Sequence, residues 1–227
     1  DENNRLFARR RDEVALQRGR LNGIQQRAAL LEELERRQEG LTAGVQQILA
    51  GAREQPDGPF QSVVGLVADL MEVPMQWAPL VDAALGPAAQ HVVLEDERLL
   101  ELLESGQLRL SGRVGFLTKP NLTPGDRPPP GCASNAGNPL DNETGVLGRL
   151  DQLVQTAADL QPLVHQLLGR TWAVEMLAHA RRLQSAGVEG VRFVTLAGEL
   201  VDPSGCIVAG PKDTLGLVSR RTELRDR

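Results

Sequence analysis

The chain has 227 residues, of which 41% are apolar and 24% are charged, a composition typical of a globular protein with one large or two small domains. It contains no tyrosine, four phenylalanines and two tryptophans, which argues against an aromatic platform for single-stranded nucleic acid. Residues 40–210 carry 11 basic and 19 acidic side chains, so this central part would repel DNA and any basic patch must be local.

The cysteines and apolar runs limit the class of protein further. Cys132 and Cys206 are too few for a disulfide framework or a cysteine-based zinc site, and we expect both to be reduced thiols. The sequence shows no signal peptide and no apolar run of about 18 residues or more. We therefore expect a cytoplasmic protein without a membrane span.

The first 39 residues predict one long helix, because they are rich in Arg, Glu, Gln, Leu and Ala and contain no proline. A heptad pattern places a partly apolar stripe along it, with Phe7, Val14, Leu21 and Ala28 at position a and Arg10, Gln17, Ile24 and Leu31 at position d. Such a stripe favours a coiled-coil strand near its end. A surface amphipathic helix is the alternative.

Strands and helices alternate in the next part of the chain. We predict helices at 41–53, 76–85 and 96–105, a turn at Pro56–Pro59, and strands from residue 62, at 90–94 and at 112–117. Residues 119–145 are rich in Pro, Gly and Asn, which predicts a long surface loop between two halves.

The second half repeats this alternation. We predict a strand at 148–150, helices at 153–168 and 172–186, and two final strands at 192–197 and 206–209 that form a hairpin. A charged, helix-like segment follows. Strands alternating with helices indicate an α/β fold, and the final hairpin indicates mixed sheets.

The sequence contains no pattern of residues that is typical of an enzyme. The acidic cluster of Glu95, Asp96, Glu97, Glu101 and Glu104 is typical of a solvated helix face. His91, His165 and His179 have no neighbouring Ser, Cys or Asp at a catalytic spacing, and we interpret them as structural or surface residues. No glycine-rich phosphate loop follows a strand. A small α/β enzyme is therefore the least supported class.

Six stretches stand together in the order and spacing of a known family. They are GLVADLMEVPMQWAPLVDAALGPAAQHVVLED at 65–96, GRVGFL at 112–117, GVLGRLDQLV at 145–154, LLGRTWAVEMLAHARRL at 167–183, VRFVTLAGELVDPSGCIVAG at 191–210 and SRRTEL at 219–224. Together they resemble the hinge domain of SMC (structural maintenance of chromosomes) proteins from about residue 40 onward.

The resemblance implies a mixed α/β fold of two pseudo-related subdomains flanked by antiparallel coiled-coil helices. It divides the chain into an N-terminal arm at 1–39, subdomain 1 at 40–118, a linker at 119–145, subdomain 2 at 146–212 and the start of a C-terminal arm at 213–227. It implies a non-enzymatic module that dimerises and so joins two arms of a chromosome-organising ATPase. No cofactor is expected in this segment, because ATP is bound by head domains elsewhere in the family.

The resemblance also implies partners and a place in the cell. We expect a homodimer acting in chromosome condensation and segregation, located in the cytoplasm at the nucleoid, with accessory subunits bound elsewhere on the longer protein. In the family, strand edges and glycine turns of one chain's first half meet the other chain's second half. The predicted interface residues are Gly205, Cys206, Ile207, Ala209, Gly210 and Gly216.

The turn after the last strand departs from the family pattern. It usually contains Thr-Gly-Gly, whereas this chain has Val208, Ala209 and Gly210. Because a Cβ holds strands apart, close strand contact favours glycine, and alanine is the smallest substitute. The alternative function is a DNA-binding module that acts through a local basic patch. Its predicted residues are Arg181, Arg182, Lys212, Arg220 and Arg221.

Overall fold

A computed structural model describes residues 2–36, 40–55, 58–119, 140, 143–188, 190–210 and 216–225. The chain divides into two compact units, Asp1–Gly40 and Leu41–Arg227. The described part of the first unit contains one helix, α1 (Glu2–Arg36), so the predicted N-terminal helix is confirmed. Val14, Leu21 and Ile24 of the predicted stripe are exposed on it.

The first half of the second unit contains three α-helices and three strands among its described residues. They are α2 (Ala43–Glu54), β1 (Val63–Leu66), α3 (Ala78–Leu85), β2 (Val92–Leu94), α4 (Arg98–Glu104) and β3 (Phe116–Thr118). The strands form a sheet in the order β1–β2–β3, in which β1 runs antiparallel and β3 parallel to β2. The predicted strand at 112–117 therefore begins four residues later than expected.

The second half forms a larger sheet. Its elements are β4 (Val146–Arg149), α5 (Gln161–Leu168), β5 (Thr171–Val174), α6 (Leu177–Ser185), β6 (Arg192–Thr195), β7 (Leu200–Val201), β8 (Ile207–Val208) and α7 (Leu217–Arg225). The described strands have the order β4–β5–β6–β7–β8, with β5 and β6 parallel and the other pairs antiparallel. The predicted α/β class with mixed sheets is confirmed.

The two halves are related by an internal repeat. The sheet β4–β5–β6 has the strand directions of β1–β2–β3, and the register shifts at Gly148 as it does at Gly65. Both glycines have positive φ, +142° and +155°, a conformation that side chains disfavour. The helices repeat as well, since α3 and its next residue have the sequence APLVDAALG and α5 and its next residue have QPLVHQLLG.

One hydrophobic core runs through both halves. It includes Val67 and Val93 from the first half and Leu163, Ala173 and Val194 from the second, all completely or almost completely buried. The halves also exchange two backbone hydrogen bonds of 2.8 Å between Glu72 and Gln155. Because the core is shared, neither half buries its own apolar surface completely without the other.

The structure corrects the helix predicted at 172–186. Thr171–Val174 is a strand, and the helix spans only Leu177–Ser185. This strand lies between β4 and β6 and is buried on both faces. A strand that is buried on both faces lacks the alternation of apolar and polar residues, so its short apolar run resembles the beginning of a helix.

The helix predicted at 153–168 is wrong over its first half. The α-helix begins only at Gln161, with Pro162 in its first turn, where proline is tolerated. Gln155 instead makes the bridge to Glu72, and the Thr156 hydroxyl donates to the carbonyl oxygen of Leu70 at 2.7 Å. Contacts with the other half therefore override the local helical preference.

The final hairpin also differs from its prediction. The sequence predicts that the segments 192–197 and 206–209 pair with each other, but β7 lies between them and pairs with both β6 and β8. The predicted loop at 119–145 lies outside the described residues except for Lys119, Leu140 and 143–145, and the predicted turn at Pro56–Pro59 is described only from Gly58.

Candidate dimer interface

The edge strand β8 presents apolar side chains to solvent. Ile207 is 42% and Val208 58% exposed, and among the described residues β8 has a neighbouring strand, β7, on one side only. An edge strand offers backbone N–H and C=O groups to another chain, and exposed apolar residues favour such contact.

Both faces of the large sheet continue onto this edge. Val208 lies opposite Leu200, which lies opposite Val194, and these partners belong to the face that packs against the shared core. Ile207 lies opposite Val201, which is fully buried on the other face. The apolar side chains of each face therefore extend as far as β8, where they are exposed to solvent.

The turn between β7 and β8 is held by Asp202. Its Oδ1 atom accepts the Ser204 N–H at 3.0 Å, and its carbonyl oxygen accepts the Gly205 N–H at 2.9 Å. Gly205 has a φ of +88°, which favours glycine. The pKa of the Asp202 carboxyl is lowered below its ordinary value, chiefly by the Ser204 N–H and further by Arg192.

Two side chains connect this turn to the rest of the second unit. Gln184 Nε2 on α6 donates to the Asp202 carbonyl oxygen at 2.9 Å. Arg192 Nη2 lies 3.4 Å from Asp202 Oδ2, while its Nη1 donates to the Ala84 carbonyl oxygen at the end of α3, at 3.2 Å. The guanidinium therefore links the edge hairpin of the second half to a helix of the first.

The other predicted interface residues fall into two groups. Cys206, Ala209 and Gly210 are exposed beside β8, and Cys206 forms no disulfide with a described residue; Cys132 lies outside the described residues. Gly216 instead lies against Asp82 of the same chain, where a Cβ would come within 2.1 Å of the Asp82 Cγ atom. This contact inside the chain already requires glycine, and the interface role of all six residues stays a prediction.

Sequence reasoning missed two exposed apolar residues at the same end of the sheet. Met176 and Leu196, each 52% exposed, follow the parallel strands β5 and β6, and the Leu196 N–H donates to the Val174 carbonyl oxygen at 3.2 Å. Parallel strands bring their carboxyl ends to one edge, so a correct assignment of β5 would have placed these residues together.

The arginines predicted to bind DNA are divided between two helices. Arg181 and Arg182 lie on α6, which packs on the second sheet, whereas Arg220 and Arg221 lie on α7, which packs on α3. Arg182 donates to the Thr144 carbonyl oxygen at 2.8 Å, and Arg221 pairs with Asp69 at 2.9 Å. Lys212 lies outside the described residues, and DNA contact stays a prediction.

His165 makes a structural contact with a carboxylate of its own half. His165 Nδ1 lies 2.9 Å from Asp151 Oδ2, and Arg149 Nε donates to the other oxygen of Asp151 at 2.6 Å. In the described part of the chain, no group of three His, Cys, Asp or Glu side chains could hold a metal ion. No helix within that part is long and apolar enough to cross a membrane.

Comparison with known proteins places this fold in a family. Residues 60–184 match the model of the SMC proteins flexible hinge domain. The chromosome partition protein Smc of Rhodopirellula baltica is 39% identical over 98% of this chain, and that of Myxococcus xanthus is 30% identical over 97%. The chain spans 18% of the length of each of these relatives.

Solved structures agree with the sequence matches. A crystal structure of an asymmetric dimer of the Geobacillus stearothermophilus SMC hinge domain has a TM-score of 0.69 and 25% identity, covering 90% of this chain and 79% of that one. The Pyrococcus furiosus Smc hinge domain with an extended coiled coil has a TM-score of 0.53 and 25% identity, covering 90% and 70%.

The fold is an α/β body of two repeated halves whose large sheet ends in an exposed apolar edge strand, a surface that suits pairing with another chain. The chain belongs to the SMC hinge domain family. In SMC proteins the ATPase activity belongs to the head domains, whereas the residues matched here are those of the hinge.

Proposed function

We propose that this hinge domain forms a homodimer in which β8 of one chain extends the sheet of the other. The observation that carries the proposal is the exposed pair Ile207 and Val208 on an edge strand, at the end of two apolar sheet faces. A monomer would leave this edge in water, whereas sheet extension satisfies its backbone groups and covers its side chains.

The internal repeat suggests where β8 pairs. In the second half, β7 covers the outer edge of β6, whereas β3, the equivalent strand of the first half, has no such neighbour among the described residues. Phe116 and Leu117 of β3 are only half-buried. We therefore place the β8 edge of one chain against β3 of its partner, which joins first half to second half. The solved asymmetric dimer of the Geobacillus stearothermophilus hinge supports association between two hinge domains.

The whole-protein role extends this proposal. A dimer would join two coiled-coil arms, with 1–39 and 213–227 as their beginnings, 40–118 and 146–212 as the dimerising subdomains and 119–145 as the linker. In a longer Smc protein, ATP would be bound by head domains and accessory subunits would bind elsewhere. Its place would be the cytoplasm, at the nucleoid, where it would serve chromosome partition.

Molar mass by light scattering tests the dimer. The wild type is expected at twice the 24.6 kDa of one chain at micromolar concentration. Val208→Asp should give a folded monomer, because the side chain is exposed in one chain but a charge buried between strands is costly. Met75→Glu, which changes another exposed apolar residue away from strand edges, is the matched control and should remain dimeric.

Two outcomes would contradict the proposal. A wild-type monomer overturns the homodimer, and a Val208→Asp dimer overturns the assignment of β8. Gly210→Glu is a less informative variant, because the φ of +131° at Gly210 would strain any side chain regardless of dimerisation.

DNA contact is not part of the proposal. Arg182 and Arg221 already bind groups of their own chain, and the central part of the chain is acidic. If the chain bound DNA in a salt-sensitive way, and Arg181→Ala and Arg220→Ala weakened that binding, the hinge would have a second role.

A further inference from the structure

The C-terminal helix α7 follows the second half in the chain but packs on the first. It contacts α3 and the 3₁₀ turn Val67–Asp69. Val218 of α7 is 1% exposed and belongs to the shared core. Helix α7 is therefore attached to the first half, although the whole second half lies between them in the sequence.

A buried carboxylate caps the start of this helix. Asp82 of α3, only 3% exposed, accepts the Val218 N–H at 2.9 Å and the Ser219 N–H at 2.8 Å, and it also accepts the Ser219 hydroxyl. The first turn of a helix leaves such N–H groups without intrahelical partners, and a negative charge there is favoured by the helix dipole.

The residue at the usual capping position cannot supply this carboxylate. Gly216 stands directly before Leu217, and its carbonyl oxygen accepts the Arg220 N–H at 3.1 Å, as the residue at a helix N-cap does. It has no side chain, and a Cβ there would come within 2.1 Å of Asp82 Cγ. Gly216 leaves the space that Asp82 fills, so the cap comes from the other half.

The far end of α7 is attached to the same half. Arg225 donates to the carbonyl oxygens of Met71 and Asp69, each at 2.7 Å. Arg221 Nη2 lies 2.9 Å from Asp69 Oδ1. Burial raises the pKa of the Asp69 carboxyl, and the Arg221 and Arg225 charges oppose this. Contacts with the first half therefore span the length of the described helix.

The internal repeat shows that this attachment is specific to one half. Asp82 is the fifth residue of α3, and the fifth residue of the equivalent helix α5 is His165. His165 contacts Asp151 of its own half, and among the described residues it caps no helix of the other half. The repeated scaffold thus carries a capping carboxylate only at the copy on which α7 lies.

We propose that Asp82 is the positioning residue that fixes the C-terminal helix, and the arm that it begins, to the first half of the hinge. The arm then moves with the first half, although the chain enters it from the second. Dimerisation is not required for this role.

Hydrogen exchange of the 227-residue chain tests the role. Asp82→Asn keeps the size of the side chain but removes its charge and turns one acceptor into a donor facing N–H groups. We expect the α7 amides, above all Val218 and Ser219, to exchange about tenfold faster or more. Exchange in the sheets and the molar mass should not change. Asp151→Asn, a substitution at a mostly buried carboxylate of the second half, is the matched control and should leave α7 protected.

A milder variant covers the case in which Asp82→Asn fails to fold. Ser219→Ala removes only the hydroxyl bond to Asp82 and should raise exchange in α7 by a few fold. Unchanged α7 protection in both variants would overturn the proposal, since apolar packing of Val218 would then suffice. An equal rise in exchange in every element would also overturn it, because Asp82 would then stabilise the whole fold.

A distance measurement tests the direction of the arm. Spin labels are attached at Leu224→Cys of α7 and Glu54→Cys of α2, with both natural cysteines replaced by serine. They report the distance between α7 and a helix of the first half. The distance distribution is expected to be narrow with Asp82 and broad with Asp82→Asn. A distribution that the substitution leaves narrow would show that another contact positions the arm.

Discussion

Close backbone approach accounts for individual glycines in the hinge body. Gly44 lies within α2 and is buried against the segment before β3, where a Cβ would come within 2.5 Å of the Gly112 carbonyl oxygen and 2.6 Å of Val114 Cγ2. In contrast, Gly23 of α1 has open space, with no described atom within 4 Å of an added Cβ. Replacing glycine by alanine should therefore have opposite effects in these two helices.

Gly44→Ala is expected to destabilise the body by about 1–3 kcal/mol, although alanine favours helix by about 1 kcal/mol, because a backbone oxygen cannot move aside. Chemical denaturation measures the change. Gly23→Ala is the control and should increase helical circular dichroism without destabilising the body. Equal stability of Gly44→Ala and the wild type would contradict the close approach.

Among the elements, the β7–β8 hairpin depends most on its turn. Its strands have two residues each, so a few ladder bonds hold it, and Asp202 supplies the contacts to Ser204 and Arg192. The hairpin is also the element that carries the proposed interface. A substitution that disorders the hairpin should therefore also weaken the dimer.

Asp202→Ala is expected to raise amide exchange at the hairpin several fold and to weaken the dimer. Because the folded pKa of Asp202 is lowered, its contribution is present above the ordinary value of 3.8 and is lost as the pH falls through the lower folded value. Protection of the hairpin amides, expressed relative to their intrinsic exchange rates, should thus fall between pH 5 and pH 3 more in the wild type than in the variant. Ser185→Ala, which alters a local bond on α6, is the control. Parallel pH profiles would contradict this role.

Across the whole molecule, polar contacts join the two halves around their shared core. Lys119, directly after β3, lies 2.7 Å from Glu95 in the first half and 2.8 Å from Asp159 in the second. These carboxylates raise the pKa of Lys119, first Asp159 and then Glu95. The ammonium group therefore connects both halves at the protein surface.

Lys119→Met is expected to lower the melting temperature by about 2 °C, because exposed ion pairs contribute little. The raised pKa means that the stabilisation is present below the ordinary pKa of 10.5 and is lost as the pH rises through the folded value. Melting temperatures of the two proteins should converge in strong alkali. Arg98→Met, which breaks a pair with Asp96 inside one half, should leave the pH profile unchanged. A constant difference across pH would count against the Lys119 contact.

Most of the first half follows from local sequence. Alternating apolar runs, proline and glycine predicted β1, β2 and helices α2, α3 and α4 near their observed positions, because these elements have the periodicity or the end signals that such patterns describe. The order of six short stretches also sufficed to indicate the SMC hinge family. By itself, then, the sequence determined the mixed α/β class and the family.

The tertiary structure decided the rest. Thr171–Val174 is a strand because β4 and β6 flank it, and Leu200–Val201 pairs because β6 and β8 lie on either side. Neither segment is long enough for a local pattern to distinguish strand from helix or turn. Asp82 caps α7 from 136 residues away in the sequence, as measured to Val218. Only folding brings such residues together, because the free energy of these contacts comes from packing between distant segments and not from local preference.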